Sequence, residues 1–197
     1  MPISECKIEK RKMQQARILT GALAAFKSRG LDNATMEEIA SESGLGKATL
    51  YYYFRSKEEV FSAILENGWQ MLWLSLEPVI AADTTPRKTF IQMLLKIVEN
   101  IRNRPELFKF LFDAPKIISF KEEPWKKYQN HMYITLNTLL EEGIKAGEFP
   151  DINPKLLFKA MGGLFMGLVL MGEKKEIISE KDIEKLLTQL IRNPMIK

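Results

Sequence analysis

The chain has 197 residues, 46% hydrophobic and 27% charged, a balance close to the globular average that excludes wholesale disorder and a polytopic membrane protein. A single cysteine, Cys6, and a single histidine, His131, exclude a disulfide framework and a Cys/His zinc site, and they leave little room for Cys-His or Ser-His catalysis. The net charge of +4 is localised: residues 1–57 carry ten basic and six acidic side chains, while residues 58–197 are balanced, the footprint expected of a segment that meets a polyanion.

Helix punctuation recurs along the chain and strand signals are nearly absent, so the expected fold class is all-α. Residues 1–15 lack an apolar run of signal-peptide length, which makes the cytoplasm the expected location. A first helix is expected over 9–28, with Ile18, Leu19, Ala22, Ala25 and Phe26 on one face and Gly30 as its stop. Around its start Lys7, Lys10, Arg11 and Lys12 read as a solvated arm, with a minor-groove arm as the alternative. Thr35-Met36-Glu37-Glu38 has the capping-box pattern and opens a short helix that ends near Ser43-Gly44. The next helix, over 47–54, lasts two turns. Ser56-Lys57-Glu58-Glu59 is a second capping box, and it opens a long helix over 57–76 that Pro78 is expected to close. At ~1.5 Å per residue that helix reaches ~30 Å, enough to link two lobes. Thr85-Pro86, Asn153-Pro154 and Ser179 are N-cap signatures, and the helices expected beyond residue 80 cover 86–102, 105–113, 124–146, 154–171 and 180–192. The uncharged run over 160–172 is too short to cross ~30 Å of hydrocarbon.

Two short helices joined by Gly44-Leu45-Gly46 make a helix-turn-helix, whose second helix suits the ~12 Å major groove of DNA. On that helix Leu50 and Phe54, four residues apart, point inward with Phe26, Ile39 and Ala40. Lys47, Ala48, Thr49, Tyr52 and Tyr53 are left for the opposite side or its rims. A two-turn helix that shows an amine, a hydroxyl and several phenols to water calls for a partner to cover them.

The stretch Thr35-Met36-Glu37-Glu38-Ile39-Ala40, followed by Gly44-Leu45-Gly46-Lys47-Ala48-Thr49-Leu50-Tyr51-Tyr52-Tyr53-Phe54 and Ser56-Lys57-Glu58-Glu59, resembles the DNA-binding domain of TetR-family transcriptional repressors. The match lies within residues 10–60. The resemblance implies an N-terminal three-helix helix-turn-helix domain, residues 1–57, and a C-terminal helical ligand-binding and dimerisation lobe, residues 58–197. It also implies that Lys47, Ala48 and Thr49 face bases, and that Thr35, Tyr51, Tyr52, Tyr53 and Lys57 face phosphates or thymine methyls. Family members often have Ser before the lysine of the recognition helix, Gly after it and His before the phenylalanine; here they are Gly46, Ala48 and Tyr53. Glycine remains an acceptable N-cap and alanine suits a helix better than glycine, so these departures bear on base preference and not on the fold.

Several of these residues have a plainer role as well. Thr35 is first a helix cap, and a phosphate contact through its hydroxyl is additional. Lys57 stands in the first turn of its helix, where the dipole disfavours a cation, so a phosphate partner explains it better than solvent does. Tyr51, beside Leu50 and Phe54, is divided between core and DNA face. In the C-terminal lobe Trp69, Phe90, Phe108, Phe112, Trp125, Tyr128, Met132 and Phe165 are candidates to line an apolar ligand cavity of ~300–1,000 Å³, with ordinary core packing as the competing role of each. His131 reads as a helix-surface or satisfied core residue. Gly162, Gly163 and Gly167 weaken a helix, and close helix–helix approach at a dimer interface would explain them.

The protein expected from these residues is a homodimeric regulator without a metal or cofactor. It would bind a palindromic operator in double-stranded DNA as a repressor, and a small apolar or amphipathic effector would release it. The competing reading, an all-α ligand carrier or enzyme whose N-terminal hairpin is only structural, sits badly with the place of the charge excess. An architectural or activating DNA-binding factor without an effector is the third.

Overall fold

The computed structural model describes residues 3–113, 123–170 and 179–190. Among them are nine helices and no strand: α1 (Ile3–Arg29), α2 (Met36–Glu42), α3 (Lys47–Tyr53), α4 (Lys57–Ile80), α5 (Pro86–Asn103), α6 (Pro105–Asp113), α7 (Lys126–Lys145), α8 (Pro154–Leu170) and α9 (Glu180–Leu190). The described residues fall into two compact units that divide at Gly68 within α4, with residues 123–125 counted in the first.

In the N-terminal unit α1 packs on α2 and α2 on α3. Ile18, Ala22 and Phe26 of α1, Ile39 and Ala40 of α2, Leu50 of α3 and the following Phe54 are all buried, as the period of the apolar positions requires. Val60 and Phe61 of α4 join them, and the rings of Phe26 and Phe61 meet edge to face at 5.9 Å. That packing draws the first turns of α4 into the N-terminal unit. α1 begins at Ile3, ahead of the start expected near residue 9, which makes the basic N-terminal segment helical.

Helix α4 also passes Pro78 and ends at Ile80. A proline lacks only its own N–H, and in the last turn the loss is confined to one bond; Ala81 still donates to the Glu77 carbonyl at 2.9 Å. The N-caps form where the residue types require them. The Thr85 hydroxyl accepts the Lys88 amide at 3.4 Å, Asn153 accepts those of Lys155 and Leu156 at 3.0 and 3.3 Å, and Ser179 accepts that of Asp182 at 3.1 Å.

In the C-terminal unit α5 packs against α6, α7 and α9, and α7 against α8. α5 is the central helix: Phe90, Met93, Leu94, Ile97, Val98 and Ile101 are all buried. α7 ends at Lys145, and the turn that follows passes through Gly147, whose φ of 75° is the left-handed conformation open to glycine. The turn brings the Phe149 ring to 5.7 Å from Phe90, edge to face. Among the described residues no helix is long and apolar enough to cross a membrane.

Candidate nucleic-acid interface and ligand cavity

The helix-turn-helix is assembled by local chemistry. Thr35 and Glu38 form the capping box in full: the Glu38 amide donates to the Thr35 hydroxyl at 3.2 Å, and the Thr35 amide donates to the Glu38 carboxylate at 3.0 Å. The second box forms in altered form. Glu59 donates its amide to the Ser56 hydroxyl at 3.3 Å, but its carboxylate accepts from the amide of Arg55 instead of that of Ser56. The turn between α2 and α3 is made by Gly44 at φ 60° and closed by the Leu45 amide on the Ala40 carbonyl at 2.9 Å. Its position is fixed by α1: the Arg17 guanidinium donates to the Gly44 carbonyl at 3.2 Å. Where Gly21 faces this turn, a Cβ would lie 2.6 Å from the Ser43 amide nitrogen and 2.8 Å from the Glu42 carbonyl carbon. Only a residue without a side chain lets the two backbones approach this closely.

On α3 the division between faces is sharp. Leu50 is fully buried, whereas Lys47, Ala48, Thr49, Tyr51 and Tyr52 are exposed, Tyr51 to 42% and Tyr52 to 74%. Tyr53 is half-buried, with its ring edge to face against Tyr52 at 5.2 Å. Tyr51, divided between core and surface in the sequence, therefore stands on the surface. Its ring lies 5.8 Å below the Lys47 ammonium. Lys47 is also ion-paired with Glu37 of α2. The hydrogen bond to Lys47 holds the Glu37 carboxyl below the usual carboxylate range, and the same bond raises the Lys47 ammonium above the usual lysine value. Spacing along one helix gives Glu37 only a place in the capping motif, because its pairing crosses from one helix to the next.

Lys57 is placed otherwise than expected. Its ammonium donates to the backbone carbonyls of Leu31, Asp32 and Ala34 at 3.0, 2.7 and 3.3 Å. All three N–H donors of the amine are thereby used, so the cation is a tie for the loop between α1 and α2 and not a free phosphate hook. The anionic partner that its place in the first turn called for is replaced by three carbonyl dipoles.

The face of α3 continues into a groove of about 540 Å³. One wall is Lys7, Lys10, Arg11 and Gln14 of α1, and the other is Thr49, Tyr52 and Tyr53 of α3. The spacing of 7, 10, 11 and 14 is that of one helix face, and it becomes a face because α1 extends back to Ile3.

Of the eight candidates for a ligand cavity, Phe90, Phe112, Met132 and Phe165 line one cleft of the C-terminal unit, together with Leu72 and Met161 among others. Its volume is about 130 Å³, below the ~300–1,000 Å³ of a drug-sized site. Trp69 is buried and not in the lining, with its ring 5.6 Å from Phe112, and Phe108 is fully buried core. Tyr128 is half-buried with the Lys127 ammonium 4.8 Å from its ring centre, and Trp125 is buried but counted in the N-terminal unit. His131 is exposed beside Trp73, ring centres 5.3 Å apart. Gly162, Gly163 and Gly167 are exposed on α8, and no described atom comes within 4 Å of a Cβ at any of them. Close approach within the chain therefore does not account for them.

The family model described as bacterial regulatory proteins, tetR family, matches residues 18–64, the segment that contains most of α1's buried face and the helix-turn-helix. The chain is 26% identical over 185 residues to the uncharacterized HTH-type transcriptional regulator YfiR of Bacillus subtilis, covering 87% of each chain. It is 26% identical over 148 residues to the HTH-type transcriptional repressor KstR2 of Mycolicibacterium smegmatis, covering 72% of this chain and 71% of that one. Among solved structures, the TetR-family regulator PfmR from Thermus thermophilus superposes with a TM-score of 0.75 at 20% identity, over 92% of this chain and all of that one. AibR in complex with isovaleryl coenzyme A and operator DNA superposes with a TM-score of 0.78 at 14% identity, over 92% of this chain and 99% of that one. Residues 18–64, which hold the capping box, the glycine-hinged turn and the exposed second helix, are thus similar to the helix-turn-helix segment of the tetR family of bacterial regulatory proteins.

Proposed function

We propose that the protein is a repressor that binds a palindromic operator as a homodimer and is released by a small apolar or amphipathic effector. The observation that carries the DNA half is the division of α3: Leu50 is fully buried, and Lys47, Ala48, Thr49 and Tyr52 are exposed on a helix of seven residues. An amine, a methyl, a hydroxyl and a phenol are groups that read base edges, thymine methyls and phosphates in a major groove. Thr35 and Tyr51 flank them at the N-terminus of α2 and beside Lys47. Two copies would place two such helices on half-sites ~34–36 Å apart, and the open glycine face of α8 offers room for a second copy to pack closely.

The effector half rests on the cleft between α4, α5, α7 and α8. Its lining is almost wholly apolar and includes Met132, Met161 and Met166, flexible side chains that repack around a guest. At about 130 Å³ it takes a few heavy atoms as it stands, so a larger effector has to widen it. Leu72, in the cleft lining, and Lys57, which ties the loop before α2, belong to the same helix. An effector that fits only one position of α4 changes the register of the two recognition helices by differential affinity alone. Coupling of ~1–3 kcal/mol lowers operator affinity about 5- to 150-fold.

The test is selection of duplexes from a random pool with the purified protein, footprinting of the winner, and a screen of lipophilic compounds by thermal shift and operator release. A symmetric protected site and at least one compound that raises stability while lowering DNA affinity are expected. Failure to enrich any sequence would refute the DNA half; enrichment with no active compound in a broad screen would refute the effector half alone.

A further inference from the structure

We infer that the N-terminal turns of α1 are a second DNA-contacting element, a phosphate clamp in which Lys7, Lys10 and Arg11 hold the backbone of the same duplex whose major groove receives α3. The inference rests on the DNA reading above and extends it to residues outside the helix-turn-helix. Its first ground is geometry. Lys7, Lys10, Arg11 and Gln14 follow the i, i+3, i+4, i+7 pattern and share one face of α1, and that face is one wall of the groove whose other wall is Thr49, Tyr52 and Tyr53. The same α3 side chains thus belong both to the exposed face of the recognition helix and to the groove. A strand that touches Tyr52 runs alongside the cations of α1.

The second ground is charge. Besides the apolar Ile8, the groove is lined by two ammonium groups, one guanidinium, an amide, a hydroxyl and two phenols, and no carboxylate lines it among the described residues. Like charges three and four positions apart repel on a helix surface. The cluster therefore works against α1 by itself, and a polyanion in the groove removes that repulsion. A row of phosphates meets all of these requirements, and it carries no sequence information: the clamp adds affinity and fixes orientation, while α3 reads bases.

The experiment compares wild-type protein with the triple variant Lys7→Gln, Lys10→Gln, Arg11→Gln on the duplex the wild type selects, across ~50–200 mM salt. Glutamine matches lysine and arginine in helix propensity, so α1 is retained, which far-ultraviolet circular dichroism checks. Three phosphates released lower the slope of log K against log salt by about 2.7 units. Over that salt range the wild type then loses roughly 40-fold more affinity than the variant, and specific and random duplexes weaken in the same proportion. Lys12→Gln, one position outside the groove lining, is the control and shifts the slope by less than one unit. A triple variant whose slope falls by no more than that of Lys12→Gln overturns the clamp while leaving the operator reading intact. A wild type that binds no duplex overturns both.

Discussion

Replacing Gly21 by alanine puts a methyl group where α1 and the turn of the helix-turn-helix touch. In an ordinary helix interior the change is favourable by ~0.8–1 kcal/mol, because alanine loses less backbone freedom on folding. Here the new Cβ would stand 2.6 Å from the Ser43 amide nitrogen and 2.8 Å from the Glu42 carbonyl carbon, and both are backbone atoms that cannot rotate away. Such overpacking typically costs ~1–3 kcal/mol. The Ser43 hydroxyl, buried and donating to the Ile39 carbonyl at 2.6 Å, must shift as well, and disturbing a buried hydrogen bond adds ~1–3 kcal/mol. Offset against the propensity gain, the net loss is ~1–5 kcal/mol, or a fall in melting temperature of roughly 2–20 °C for a chain of this size. Calorimetry gives the magnitude, and hydrogen exchange of the amides of residues 43–50 locates it, since the strain enters at the turn. DNA affinity should fall in parallel, because the turn that orients α3 is displaced. A variant with unchanged or higher melting temperature would show that the close approach is not a constraint, and would refute the account of why glycine stands at position 21.

Three further outcomes follow from named contacts. Lys57→Ala removes a charged donor from three loop carbonyls and should cost ~1.5–3 kcal/mol in a urea titration, besides any loss of DNA affinity; an unchanged midpoint would refute the tie. The folded-state pKa of Glu37 is lowered and that of Lys47 raised, so the pair's contribution is lost as pH falls through the first or rises through the second and is constant between about pH 5.5 and 9.5. A carboxyl titration by NMR should show Glu37 moving back up in Lys47→Gln, and an identical curve in both proteins would dismiss the pair. Gly163→Ala has open space within the protomer and should raise helix stability by up to ~1 kcal/mol, whereas Gly163→Leu should weaken a dimer packed on α8; equal sedimentation of both variants and the wild type as dimers would place the interface elsewhere.

The parts of this protein readable from its sequence are those whose physics is local. A capping box is complete within four residues, and so Thr35-Glu38 and the N-caps at Thr85, Asn153 and Ser179 formed as their residue types required. Burial of Leu50 and Phe54 and exposure of Lys47, Ala48, Thr49 and Tyr52 follow from helical period alone. What only the tertiary structure decided depends on neighbours distant in sequence. Lys57 meets carbonyls of residues 31–34, Lys47 meets Glu37, and Gly21 meets Ser43; none of these partners is implied by spacing along one helix. The division at Gly68 was set by Phe61 packing on Phe26, and the ligand candidates separated into cleft, core and the other unit because an apolar residue at helical spacing carries no mark of whether a neighbour or a cavity faces it. The groove between Lys7, Lys10, Arg11 and α3 belongs to both categories: its charge and period are in the sequence, and the wall opposite them exists only in the fold.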